Sequence, residues 1–207
     1  MNRKTLRLLP LLLLAAAVPA AAQTAPQKVQ LVDKLPALNW QSLATDPKGD
    51  VLHPRLPDAR ELFYALDPKG KMVWFKVAVH DPLPERWFGI NVAIDSDGNP
   101  DDGGTWWGTN KFKFDRLASA YLFQAEGYWQ GALGIADSET AAKMVFNNVS
   151  KDVKVAVDRG AQPAILLGIP RSALGTAQTI RVIATVGSML VNNDDVPNEG
   201  AVTVKLQ

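Results

Sequence analysis

A chain of 207 residues has room for one domain of ordinary size plus a leader, and its 22 Lys and Arg against 21 Asp and Glu leave a formal charge of +1. That balance argues against nucleic acid as a partner, because no basic surplus exists to neutralise phosphates. The lack of any cysteine excludes disulfides, thiolate metal sites, a cysteine nucleophile and a lipid-modified cysteine.

Residues 1–22 begin with Arg3, Lys4 and Arg7, continue through an apolar run and end on the small residues Ala20 to Ala22, which is the pattern of an export signal cleaved before Gln23. Its removal takes the formal charge from +1 to −2, since the leader holds three basic and no acidic residues. The run is shorter than the roughly 20 apolar residues a membrane helix needs, and no later stretch approaches that length. The mature chain is therefore expected in the periplasm or outside the cell, without membrane insertion. Residues 23–39 read as an N-terminal tether with room for a first short strand, and residues 40–207 as one domain without internal repeats.

Asp46, Pro47, Gly49, Asp50, Pro54 and Pro57 make residues 45–57 a long covering loop. Residues 59–65 and the run MVWFKVAV at 72–79 flank a DPKG turn and predict a hairpin. Phe88, Ile90, Val92 and Ile94 share one face of a strand, with Gly89, Asn91, Ala93 and Asp95 on the other, so this strand reads as half buried. Further strand signals start at Lys111 and cover 117–123, 128–135, 144–149, 153–157, 179–188 and 202–206. Residues 164–169 are uniformly apolar and predict a strand buried on both faces. PRSALG at 170–175 predicts one helical turn, and 138–145 a second short helix. Roughly nine to eleven strands with few helical turns predict an all-β fold, a two-sheet antiparallel β-sandwich.

Asp95, Asp97, Asn99, Asp101 and Asp102 follow the half-buried strand. Oxygens at the first, third and fifth positions suit a hard cation, and calcium is the candidate cofactor. An EF-hand is excluded, because Pro100 stands where the turn glycine belongs and Trp106 where the bidentate Glu belongs. A calcium site between strands and a solvated acidic turn remain the two readings. Trp106 and Trp107 come next. Adjacent residues of an extended chain point to opposite sides, so one of the pair is expected to face outward and offer its ring to a sugar. The alternative is a lid over the sandwich end. Trp129 joins them as a candidate ligand contact, Trp74 reads as core, and Trp40 and Trp87 fit either role. Asp194, Asp195, Asn198 and Glu199 read as a second acidic loop. No nucleophile elbow, zinc-spaced histidine pair or phosphate-cradling loop occurs, which points away from an enzyme.

Three stretches, ATDPKGDVLHPRLPDARELFYA, NVAIDSDGNPDDG and IPRSALG…IRVIATVGS…NNDDVPNEGAVTV, are similar in order and spacing to the DOMON-like β-sandwich superfamily over residues 40–207. That superfamily includes family-nine carbohydrate-binding modules and C-terminal domains of glucan-degrading enzymes. The resemblance implies an immunoglobulin-like or jelly-roll-like sandwich that binds carbohydrate or another polyhydroxylated ligand without catalysis, with calcium stabilising its loops. Other branches bind haem through Met and His, for which His53, His80, Met72, Met144 and Met189 are present. An accessory protein-interaction domain is the third reading.

Overall fold

The computed structural model describes residues 30–32, 34–106, 112–122, 130–142, 152–188 and 191–207. The leader, Trp107, Trp129 and the expected strand at 144–149 lie outside the described residues. Among the described residues the fold is two stacked, mainly antiparallel sheets, as the alternating patterns predict. The first holds β2 (Gln41–Thr45), β3 (Ala59–Leu66), β4 (Met72–Val79), β11 (Ala164–Pro170), β10 (Lys154–Asp158) and β1 (Gln30–Leu31), in that spatial order. The second runs β13 (Val191–Val196), β12 (Thr179–Ser188), β5 (Phe88–Asp95), β8 (Arg116–Leu122) and β9 (Gln130–Asp137), with β14 (Val202–Lys205) also on β12. β6 (Gly104–Thr105) and β7 (Lys113–Phe114) form a small ribbon. A helical turn, α1 (Ser138–Ala142), follows β9, and a 3-10 turn spans Arg171–Leu174.

The period-two faces meet between the sheets. Leu62, Val73, Phe75, Val77, Ile165 and Leu167 from the first pack against Phe88, Ile90, Val92, Ile94, Val182 and Val186 from the second, all fully buried. At about 25 cal/mol per Å² of apolar surface removed from water, such a core is the main source of stability in a chain with no disulfide. The two longest turn predictions hold: β3 and β4 pair as a hairpin, and the 3-10 turn lies between Pro170 and Gly175. β13 stands where an acidic loop was expected, and β2 is a strand that was not among those expected. No helix among the described residues is long and apolar enough to cross a membrane.

The first sheet has a covered outer face too. Trp74, Ala78, Ala156, Ala164 and Leu166 pack there beneath Val32, Leu38 and Trp40, so Trp74 is buried outside the inter-sheet core. Its indole lies over Gly168, the paired residue on β11, where an added Cβ would fall 2.7 Å from Trp74 Cε2. Gly168→Ala should therefore lower stability by about 1–3 kcal/mol in a denaturant titration, since the ring has to leave its packed position.

Candidate functional site

β5 differs from its sequence reading. All eight of its residues are buried, and the outward face is covered at its C-terminal end by Trp106, Phe112, Phe114 and Ala141, which pack on Ala93, Leu117, Ala136 and Ile183. Trp106 is 2 % exposed, meets Phe114 edge to face, and donates its Nε1–H to Asp195 Oδ2 at 3.0 Å. An aromatic loop doubling back over the sheet has buried what alternation assigned to solvent. Of the adjacent tryptophan pair, Trp106 is the inward member and offers no open ring face for stacking. Trp87 instead is 57 % exposed, immediately before β5 and with φ of 68°. A non-glycine residue there stores strain of about 1–3 kcal/mol, a feature concentrated at functional sites.

Beyond Trp106 the outward face of the second sheet turns polar. Pairing places Ser119, Asn91, Thr185 and Asp195 side by side across β8, β5, β12 and β13. All four are buried, as is Tyr121, one position along the same face from Ser119. Asn91 Oδ1 accepts from Ser119 Oγ and from Tyr121 Oη, and Asn91 Nδ2 donates to Asn192 Oδ1 at 3.0 Å. Two buried atoms in this row find no partner, Asn192 Nδ2 and Asp195 Oδ1. An unsatisfied buried polar atom costs about 1–3 kcal/mol, so these two atoms set this row apart from the apolar part of the same face. Burial pushes the Tyr121 hydroxyl up to about 12, against the pull of its bonds to Asn91 and Ser119, so it stays a proton donor at neutral pH. Burial likewise raises the Asp195 carboxyl, while Trp106 and Thr185 oppose the shift.

The acidic turn after β5 gathers a different set from the five residues expected. Asp95, Asp97 and Asp115 each bring a carboxylate oxygen within 4.8 Å of the others. Asp101 and Asp102 are not grouped with these three carboxylates: Asn99 Oδ1 accepts from the Asp101 N–H, Asp102 Oδ2 accepts from Asn99 Nδ2, and the Asp101 carbonyl takes Lys113 Nζ. Such bonds belong to local turn chemistry. Asp95, 1 % exposed, has Arg181 at 3.3 Å from Oδ2, and Asp115 Oδ2 accepts from the Ser96 N–H and hydroxyl. Much of the charge in this turn is thus compensated by the protein itself.

Asp194 and Asp195 do not form the expected second acidic loop. They lie in β13, buried, with backbones paired to β12. Asp194 Oδ2 accepts the Ala59 N–H of β3 at 2.6 Å, so one carboxylate ties the two sheets together. Beside it Asp46 and Asp50 arrive from the covering loop, each offering an oxygen within 4.8 Å of the others. Burial first, then the negative charges of Asp194, Asp50, Asp58 and Asp195, push the Asp46 carboxyl up to about 7. Asp194 is also raised to about 7, by burial and then by Asp50, Asp58 and Asp195, against the Ala59 bond. Only the alternation of Thr185 and Val186 with their β13 partners could have signalled these positions, and a register shift between Val186 and Gly187 blurs it.

No family model matches this chain, and neither curated proteins nor solved structures yield a match.

Proposed function

We propose that this chain is an exported, non-catalytic binding module for carbohydrate or another polyhydroxylated ligand, held on the outward face of the second sheet. The observation that carries this reading is the buried row Ser119, Asn91, Thr185 and Asp195, flanked by Tyr121 and Asn192, with two hydrogen-bonding atoms left unmatched. Vicinal hydroxyls are donors and acceptors at once, and suit a row in which Asn192 Nδ2 needs an acceptor and Asp195 Oδ1 needs a donor. Trp87, exposed and immediately ahead of the strand that carries Asn91, is the aromatic ring among the described residues that could stack on such a ligand. Sugar recognition of this kind needs neither a nucleophile nor a proton relay. The resemblance to DOMON-like sandwiches points the same way, and calcium at the acidic turn, held by Asp95, Asp97 and Asp115, belongs to this reading as a loop stabiliser.

Affinity gels loaded with soluble polysaccharides, followed by a glycan array, test it. Retention on at least one glycan is expected, with Asn192→Ala and Tyr121→Phe each weakening it by about 5- to 10-fold, the value of one net hydrogen bond. Absence of retention on every glycan tried, or full retention in both variants, counts against the assignment.

A further inference from the structure

We propose that Asp46, Asp50 and Asp194 form a calcium site at the junction of the covering loop with β13, separate from both the polar row and the acidic turn. The three carboxylates come from distant parts of the chain yet offer oxygens within 4.8 Å of one another. Independent of the clustering, Asp46 is only 7 % exposed and its Oδ2 is buried without any hydrogen-bond partner. The other oxygen of each carboxylate is already held. Asn198 Nδ2 donates to Asp46 Oδ1 at 2.8 Å and to Asp50 Oδ2 at 2.7 Å, and Ala59 N–H holds Asp194 Oδ2. Each acid is thereby oriented through one oxygen, which leaves a second for another partner.

Among the described residues no Lys or Arg forms an ion pair with these three acids. Lys48, the nearest basic residue in sequence, pairs with Asp81. Asp58 stands alongside with Oδ2 on the Gly49 N–H and Oδ1 buried without a hydrogen bond. His80 Nε2 lies 4.0 Å from that Oδ1 and 3.2 Å from the Asp46 carbonyl. Buried like charges at this density repel unless a counterion joins them. An all-oxygen, mostly anionic donor set selects a hard cation over zinc or copper. An irregular set of loop and strand carboxylates suits calcium, which accepts six to eight oxygens at variable angles, better than magnesium with its strict octahedron. A bound ion would pin the covering loop to β13 and so to both sheets, a role that disulfides fill in other exported domains.

Calcium titration of the purified chain, followed by calorimetry and by melting temperature against a chelator control, tests the site. Asp50→Asn is the informative variant, because Asp50 is exposed and its loss leaves the core untouched. The expected result is a calcium-binding step in the wild type that Asp50→Asn and Asp46→Asn weaken at least tenfold, and that Asp97→Asn in the acidic turn leaves in place. Magnesium should bind at least tenfold more weakly. The proposal is overturned if the wild type shows no heat and no melting shift in millimolar calcium. It is equally overturned if Asp50→Asn titrates like the wild type, or if magnesium matches calcium.

Discussion

Trp106→Ala should lower the unfolding free energy by about 3–5 kcal/mol, the range for truncating a buried aromatic side chain. The indole is 2 % exposed and clusters with Phe112, Phe114, Leu117 and Ile183, so its truncation leaves a space in that cluster. The same change removes the Nε1–H donor to Asp195 Oδ2, while Asp195 Oδ1 already lacks a partner among the described residues. Protonation of Asp195, already favoured by its burial, limits that second cost. Trp106→Phe separates the two effects: it keeps most of the ring volume and should cost about 1–3 kcal/mol, mainly through the lost N–H donor. For a domain of this size each kcal/mol moves the melting temperature by about 2–4 °C, so the alanine variant should melt about 6–20 °C below the wild type. A loss under about 1 kcal/mol for Trp106→Ala would mean that the indole leaves this position readily in solution, and would return it to the set of ligand-stacking candidates.

In chelator, stability should fall as pH rises from about 4 to about 7. Asp46 and Asp194 ionise near 3.8 when unfolded but near 7 when folded, so through that window the folded chain holds protons the unfolded chain has released. Their contribution is most favourable below the unfolded value and is lost as pH passes through the folded one. Each pKa unit is worth about 1.4 kcal/mol, and because the two acids interact with each other and with Asp50, Asp58 and Asp195, their joint effect is on the order of a few kcal/mol. Other carboxylates titrate over the same range, so the comparison that isolates this pair is wild type against Asp46→Asn/Asp194→Asn. The double variant should be more stable than the wild type at pH 7.5 and no more stable at pH 4. His80, which faces Asp46 and Asp58, is common to both proteins and drops out of the comparison to first order. A difference between the two proteins that does not change with pH would show that these acids are ionised in the folded state throughout.

Much of the architecture was legible in local pattern. Alternation at 179–188 marks β12 from end to end, the DPKG turn between two β-branched and aromatic runs marks the β3–β4 hairpin, and the apolar run at 164–169 marks a strand covered on both faces. Pro170 and Gly175 bracket the 3-10 turn. Each of these signals is short-range, because a period or a turn residue acts through neighbouring dihedrals. Which side chains meet was decided elsewhere. Alternation alone says that Asn91 and Asp95 face away from the core, yet both are buried, because the segment carrying Trp106 and Phe112 folds back over β5 and because Ser119, Tyr121 and Arg181 arrive from strands paired to it. The pair Asp194 and Asp195 looks like turn chemistry until pairing with β12 carries it into the sheet, where Ala59 and Trp106 replace water as donors. The approach of Asp46 and Asp50 to Asp194 is likewise a product of tertiary packing, since it requires the covering loop to dock on β13 through the bonds of Asn193 to His53 and Pro57. Strand period and turn chemistry are written in the chain itself, whereas the burial and charge of a polar side chain depend on partners that only long-range pairing supplies.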